Sequence, residues 1–219
     1  MGLRFRGSGR ISAMDRFIFG VSTSGDPVAE CELEPDEAVL LGELTEEARL
    51  SGAARLWVHC PADLTGFGLT RCEGYRRFTA STCPAGAPLP LLDAETVADV
   101  WPRAFRGQWG HKHVDTDLAR TLATSGDAVF VGLREHGQWT GLCRVEPADR
   151  LIDGPGFAGR PRTADAVRLL LLGACAYLGD GPVTAESWGE PAGPYLAVGF
   201  ELAEENGGWE LVLLGQAEP

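Results

Sequence analysis

Cysteine and histidine are the side chains that most often carry nucleophilic or metal chemistry, and this sequence holds six of the first and four of the second. The cysteines are Cys31, Cys60, Cys72, Cys83, Cys143 and Cys175. No two form a Cys-x-x-Cys pair, and their spacing fits no zinc-ligand pattern. Several lie inside apolar runs, such as Gly-Leu-Cys143-Arg-Val and Gly-Ala-Cys175-Ala-Tyr. That reads as small buried thiols in a reducing compartment, the cytoplasm. None stands at an evident helix N-terminus, where a thiolate would be activated. His111 and His113 flank Lys112, but His-x-His without a carboxylate partner is a poor metal site, and no metal is expected. Arg160, Arg162 and Arg168 lie close together and could receive an anionic ligand.

The chain has 219 residues, 44% of them hydrophobic, enough for one large domain or two small ones with real cores. Its net charge of −12 repels polyanions, so neither nucleic acid nor an anionic membrane is expected as a partner. No apolar run reaches the ~18–20 residues of a membrane span. The stretch Met1–Arg10 is basic and Gly-rich, without the apolar core of a signal peptide. Met14 precedes the first predicted strand, so Met1–Ala13 reads as a disordered arm or a start-site artefact.

Periodicity supplies the elements that must position these side chains. Strands are predicted over 16–22 and 28–33, joined by a turn at Ser24-Gly-Asp-Pro27. A helix follows from Pro35-Asp-Glu, with Leu40, Leu41, Leu44 and Ala48 on one face and Gly52 ending it. Residues 55–59 and 75–79 read as strands, and 62–72 as a short helix weakened by Gly66 and Gly68. Cys83-Pro-Ala-Gly-Ala-Pro-Leu-Pro90 reads as a linker. It places a domain boundary between 1–85 and 86–219. Beyond it, Asp93 caps a helix to about Phe105, and a second runs from Thr116 to Thr124. Strands follow at 128–133 and 140–145, with a short strand or its remnant at Leu151-Ile152. The longest predicted helix is Thr163–Leu178, with Val167, Leu170, Leu171 and Ala174 inward. A strand at 183–187, a short helix at 192–198 and two strands at 200–203 and 209–213, turning at Asn206-Gly-Gly, complete the chain. This alternation implies a mixed sheet covered by helices on both faces, an α/β (α+β) fold.

A weak internal repeat aligns Ala54–Ala62 and Glu73–Phe78 with Pro182–Trp188 and Val198–Ala203, a duplication with a period near 125 residues. At Tyr195-Leu-Ala-Val-Gly199-Phe200 the sequence resembles the Tyr-x-x-x-Gly-Phe segment near the end of GNAT acetyltransferase domains. The order of elements from Asp93 to Leu213 resembles that family too. The first half resembles the later part of the same fold. The resemblance therefore implies a tandem GNAT protein with an abbreviated first copy and a fuller second one, built on a mostly antiparallel mixed sheet.

In that family a Gly-rich loop opening the central helix binds the CoA pyrophosphate through backbone N–H groups. The corresponding stretch here is Gly159-Arg-Pro-Arg-Thr-Ala-Asp-Ala166. Ala164 and Ala166 fall at the glycine positions, Pro161 where Gln or Arg is usual, and Asp165 beside the phosphate. Arg160, Arg162 and Thr163 complete the implied cofactor-binding set for acetyl-CoA. The plain alternative is a helix start with Thr163 or Asp165 as its cap. In the first half Glu34, Asp36 and Glu37 open the matching helix and would repel a pyrophosphate, so that half is expected to be structural, with Thr70 in the place of Tyr195.

The resemblance implies direct attack of an amine on the acetyl-CoA thioester. Tyr195 is then the candidate acid for the leaving thiolate. Glu146 is the candidate base because it ends a predicted strand, with Asp149, Asp153 and Glu186 as alternatives. The acidic composition would steer a small cationic amine inward. The second reading is a catalytically inactive GNAT-like protein that binds a ligand or partner. The third is a structural or dimerisation module, which would show no pocket around Tyr195.

Overall fold

The computed structural model describes residues 16–106, 110–158, 163–188 and 191–213. The arm Met1–Ala13 and the arginines Arg160 and Arg162 lie outside them. The strands are β1 (Ile18–Val21), β2 (Pro27–Glu32), β3 (Arg55–His59), β4 (Thr70–Ala80), β5 (Val129–Glu135), β6 (Gln138–Glu146), β7 (Leu151–Phe157), β8 (Val183–Trp188) and β9 (Glu201–Val212). The helices are α1 (Leu41–Leu50), α2 (Ala94–Ala104), α3 (Thr116–Thr124), α4 (Ala164–Cys175) and α5 (Gly193–Ala197), with 3-10 turns at Pro35–Leu40 and Thr65–Phe67.

Among the described residues the nine strands form one sheet in the order β1-β2-β3-β9-β4-β8-β7-β6-β5. Only β2/β3 and β7/β8 pair in parallel; every other neighbour is antiparallel. The mixed, mostly antiparallel sheet predicted from the sequence is present, and helices pack on both of its faces. One face carries two apolar cores. Leu41, Leu44 and Ala48 of α1 meet Leu56, Val58 and Trp209 in the first. Val167, Leu170, Leu171 and Ala174 of α4 meet Val145, Ile152, Ala185 and Phe78 in the second. On the other face α2 and α3 bury Val97, Val100, Phe105 and Ala119 against Phe130 and Leu142.

The order of the central strands is the feature sequence periodicity did not predict. β4 follows β3 in the chain but lies between β8 and β9, and β9 lies between β4 and β3. Each half thus lends its last strand to the other. The turn expected at Asn206-Gly-Gly does not form: β9 runs unbroken through it. These glycines serve close approach instead of chain reversal. A Cβ on Gly207 would stand 2.4 Å from the Cys60 carbonyl oxygen, and one on Gly74 would stand 2.0 Å from that of Asn206.

Three further elements differ from expectation. The helix predicted over 62–72 is only the 3-10 turn Thr65–Phe67, ended by Gly68 at φ +82°. Thr70 therefore opens a strand, and Leu64, four residues before the left-handed Gly68, stands where Tyr195 does before Gly199. The remnant at Leu151-Ile152 is a full strand of seven residues. The Pro-rich stretch 83–90 is laid against α4: a Cβ on Gly86 would meet the Leu172 carbonyl, one on Gly173 would meet Leu89, and the Tyr177 hydroxyl donates to the Leu89 carbonyl.

Candidate functional site

β7 and β8 are in register only at Leu151↔Thr184, Ile152↔Ala185 and Asp153↔Glu186. β7 then continues to Phe157 and β8 to Trp188 with no further paired residues between them. The sheet opens there, and the chain between β7 and β8 begins α4 beside the opening. Local sequence accounts for the break: Gly154-Pro155-Gly156 supplies a residue without an N–H and two without side chains. Gly156 also gives room to the Phe105 ring, which a Cβ would meet at 2.6 Å.

Alternation along the strands puts a row of charged side chains on one face at this opening. Arg144 of β6 lies across from Asp153 of β7, Asp153 across from Glu186 of β8, Glu186 across from Arg77 of β4, and Arg77 across from Glu204 of β9. Arg144 Nη1 lies 2.6 Å from Glu146 Oε1 and 3.8 Å from Asp153 Oδ2. The Tyr75 hydroxyl donates to Glu186 Oε1 at 2.7 Å, and Arg77 Nη2 donates to the same oxygen at 3.1 Å. Asp153 is largely surrounded by protein, yet its side chain keeps 31% exposure. Burial pushes it up to about 6; Arg144 draws it down, while Glu186 and Glu146 add to the rise.

An aromatic and polar wall continues the row toward the first half. Trp188 packs on Tyr75 with ring centroids 4.8 Å apart and meets His59 edge-on at 5.4 Å. His59 Nε2 and Lys112 Nζ engage the two oxygens of Glu30 at 2.6 and 2.7 Å. Burial alone would raise the Glu30 carboxyl, but His59 and Lys112 together hold it below the usual carboxylate range. Lys112 follows α2, so this contact ties the second half to the first.

The residues proposed from the sequence divide among three places. Thr163 is the N-cap of α4: its hydroxyl accepts from the Ala166 N–H at 3.2 Å. Ala164, Asp165 and Ala166 form the first turn, and Asp165 pairs with Arg168 at 3.0 Å. Glu146 stands at the end of β6, its carboxylate engaged by Arg144. Tyr195 is wholly buried in the core under α5, stacked on Phe78 at 4.3 Å and 10°. Glu146, Asp153 and Glu186 are brought together; Tyr195 is on the opposite face. The sequence marks Tyr75 and Arg77 only as strand residues, because the signal that exposes them, the pairing of β4 with β8, is not local. Two shallow depressions of ≈ 280 and ≈ 320 Å³ lie at the two ends of β4, away from Asp153. Among the described residues, no three His, Cys, Asp or Glu side chains gather as metal ligands.

Solved structures share this architecture. The chain superposes on a GCN5-related N-acetyltransferase from Anabaena variabilis ATCC 29413 with a TM-score of 0.50 and 10% identity, covering 90% of this chain and 59% of that one. A conserved protein from Enterococcus faecalis V583, described as a probable N-acyltransferase, gives 0.52 and 13% over 89% of this chain and 57% of that one. A GCN5-related N-acetyltransferase from Sphaerobacter thermophilus gives 0.51 and 13% over 85% and 74%. The fold is that of the GNAT N-acetyltransferases. At these identities the likeness is one of fold, and the chain spans under two thirds of the length of the first two proteins. No protein-family model matches the sequence, and no curated protein matches it. Among the described residues no helix is long and apolar enough to cross a membrane, and all six cysteines are free thiols.

Proposed function

We propose that the protein is an acyl-CoA-dependent N-acyltransferase that moves an acetyl group from acetyl-CoA to a small amine by direct attack. The observation that carries this reading is the opening of β7 from β8 after Asp153↔Glu186, beside the first turn of α4, in a GNAT fold. By helix geometry the N–H groups of Ala164 and Asp165 have no intrahelical acceptor. They are the groups that would hold a pyrophosphate, with Arg160 and Arg162 adding charge. Arg168 lies against the Asp165 carboxylate and offsets the one negative charge in that turn. The cosubstrate supplies an activated acyl group; the chain must bind it, orient the amine and remove a proton.

Asp153 is the proton acceptor in this reading, in preference to Glu146. Glu146 is held by Arg144 at 2.6 Å, whereas Asp153 keeps partial exposure at the opening and is pushed up to about 6, near the pH at which a base is most effective. Tyr195 enters as a packing residue that joins α5 to β4, since a hydroxyl with no exposed surface does not meet a leaving thiolate. We also read the halves as copies, the first abbreviated. Each runs strand, helix, parallel strand, short helical turn, left-handed glycine and exchanged strand, with Gly68-Leu69 answering to Gly199-Phe200. Six free thiols suit a reducing compartment such as the cytoplasm.

Calorimetric titration of the full chain with acetyl-CoA and with CoA tests the reading. Micromolar binding, weakened about tenfold or more by Arg160→Ala or Arg162→Ala, is expected. No heat at millimolar ligand would overturn it. That result would favour a GNAT-like protein that binds a ligand or partner without catalysis, a reading to which the enclosure of Tyr195 already lends weight.

A further inference from the structure

β4 belongs by sequence to the first half, but two of its side chains end at the second half's opening. Tyr75 and Arg77 both donate to Oε1 of Glu186, at 2.7 and 3.1 Å. Glu186 faces Asp153 at the last paired step of β7 and β8. We propose that Tyr75 and Arg77 are positioning residues for acyl transfer: they hold the Glu186 carboxylate beside Asp153, so that the two carboxylates seat the acceptor's ammonium group and Asp153 takes its proton. The inference rests on the acyltransferase reading and deepens it. It also gives the first half a part in the chemistry, where the sequence suggested support alone.

Two adjacent carboxylates repel one another, and the one with the poorer donors is the one whose ionisation costs more. Glu186 has the Tyr75 phenol and the Arg77 guanidinium. Among the described residues Asp153 has Arg144 at 3.8 Å and a backbone bond from Gly154. The Tyr75 phenol is itself raised, by burial first and then by its bond to Glu186, so it stays a donor across the working pH range. An ammonium group arriving between the two carboxylates replaces their mutual repulsion with two attractions. One N–H bond then breaks, its proton passes to an Asp153 oxygen, and the electron pair remains on nitrogen. Among the described residues, the charged and titratable groups around Asp153 are Arg144 and Glu146 from β6, Glu186 from β8, and Tyr75 and Arg77 from β4. Glu204 of β9 lies beyond Arg77, and His111 packs on Phe105 above Gly156.

The test is a carboxyl-detected NMR titration of the full chain with 13C-labelled Asp and Glu, the Asp153 signal being assigned with Asp153→Asn. Tyr75→Phe keeps the ring and removes only the donor. It is expected to lower the Asp153 titration by roughly half a pH unit, and Glu186→Gln by more, because the fixed negative neighbour is loosened in one and removed in the other. The acid limb of kcat/KM for thiol release from acetyl-CoA, with tyramine and spermidine as probe amines, should move in the same direction. Arg77→Lys should retain most of the rate that Arg77→Gln loses. A Tyr75→Phe titration that coincides with wild type would overturn the proposal, whatever its melting temperature. Acetyl-CoA binding, measured separately on wild type, reports on the acyltransferase reading and not on this one.

Discussion

Replacing Gly74 by alanine is the sharpest test of the exchanged strands. The added Cβ would lie 2.0 Å from the Asn206 carbonyl oxygen, 2.7 Å from the Gly208 nitrogen and 3.1 Å from the Asn206 carbonyl carbon. All three are backbone atoms of β9, so no side chain can rotate away. Carbon and oxygen approach to about 3.3 Å in a sheet, so β4 and β9 would have to part by roughly 1.3 Å. Both strands also pair on their far sides, with β8 and β3. The retreat therefore strains two more ladders. A cost at the upper end of overpacking, ~3 kcal/mol, is expected. For a chain of this size that lowers Tm by roughly 6–12 °C. Thermal and urea unfolding followed by circular dichroism would measure it. Gly42→Ala is the control: Gly42 lies within α1 with nothing inside 4 Å of its added Cβ. It should gain ~0.5–1 kcal/mol. If Gly74→Ala melts within about 1 °C of wild type, β4 does not lie against β9 here, and the turn at Asn206-Gly-Gly returns as the better account.

Asp153 has a folded pKa above its unfolded one, so the unfolded chain releases this proton first and stability falls as pH rises from about 4 to about 6. Asp153→Asn should accordingly be more stable than wild type at pH 7 by ~1–2 kcal/mol, discounted for partial exposure, and nearly equal to it at pH 4, while transferase activity drops by ~10²-fold. The opposite sign holds for Glu30, whose carboxyl is depressed: its contribution is present above its ordinary value of 4.5 and is lost as pH falls through the lower folded value. Lys112→Met should cost ~2–3 kcal/mol at pH 7 in urea unfolding, with the difference from wild type shrinking below that range. Tyr195→Phe should leave thiol release within about threefold of wild type; a loss of ~10²-fold would restore the phenol as the acid.

The helices were legible because their signals are local. Asp93 accepts from Thr96 N–H at 2.7 Å as a cap, and Asp115 does the same for Leu118 at 2.8 Å. Val167, Leu170, Leu171 and Ala174 face the core at the spacing that named them. The structure places Glu146, Asp153 and Glu186 on one face, a nearness that the sequence alone does not rank by role. Glu146 and Asp153 both keep partial exposure; what separates them is Arg144, 2.6 Å from Glu146 and 3.8 Å from Asp153, a geometry that follows from the register of β6 against β7. The central strands were misread for one reason. Asn-Gly is the strongest short-range signal for a hairpin turn, and nothing within ten residues says that these glycines are needed for backbones to touch. Tyr75 and Arg77 escaped notice because their partner lies more than a hundred residues away in the chain.

Exchange of β4 and β9 also sets the order in which the chain can mature on the ribosome. Arg55 and its partner Glu210 are 155 residues apart, so β3 and β4 emerge long before the strand that fills the gap between them. Until β9 is made, β3 presents an open edge of Leu56, Trp57 and Val58, and β4 can pair only with β8. A nascent chain in that state exposes the kind of apolar edge that invites association with its neighbours. Slow closure, governed by one late, long-range pairing, is the expected folding signature, and a chain shortened before residue 201 should accumulate as an insoluble or chaperone-bound species instead of a smaller folded protein.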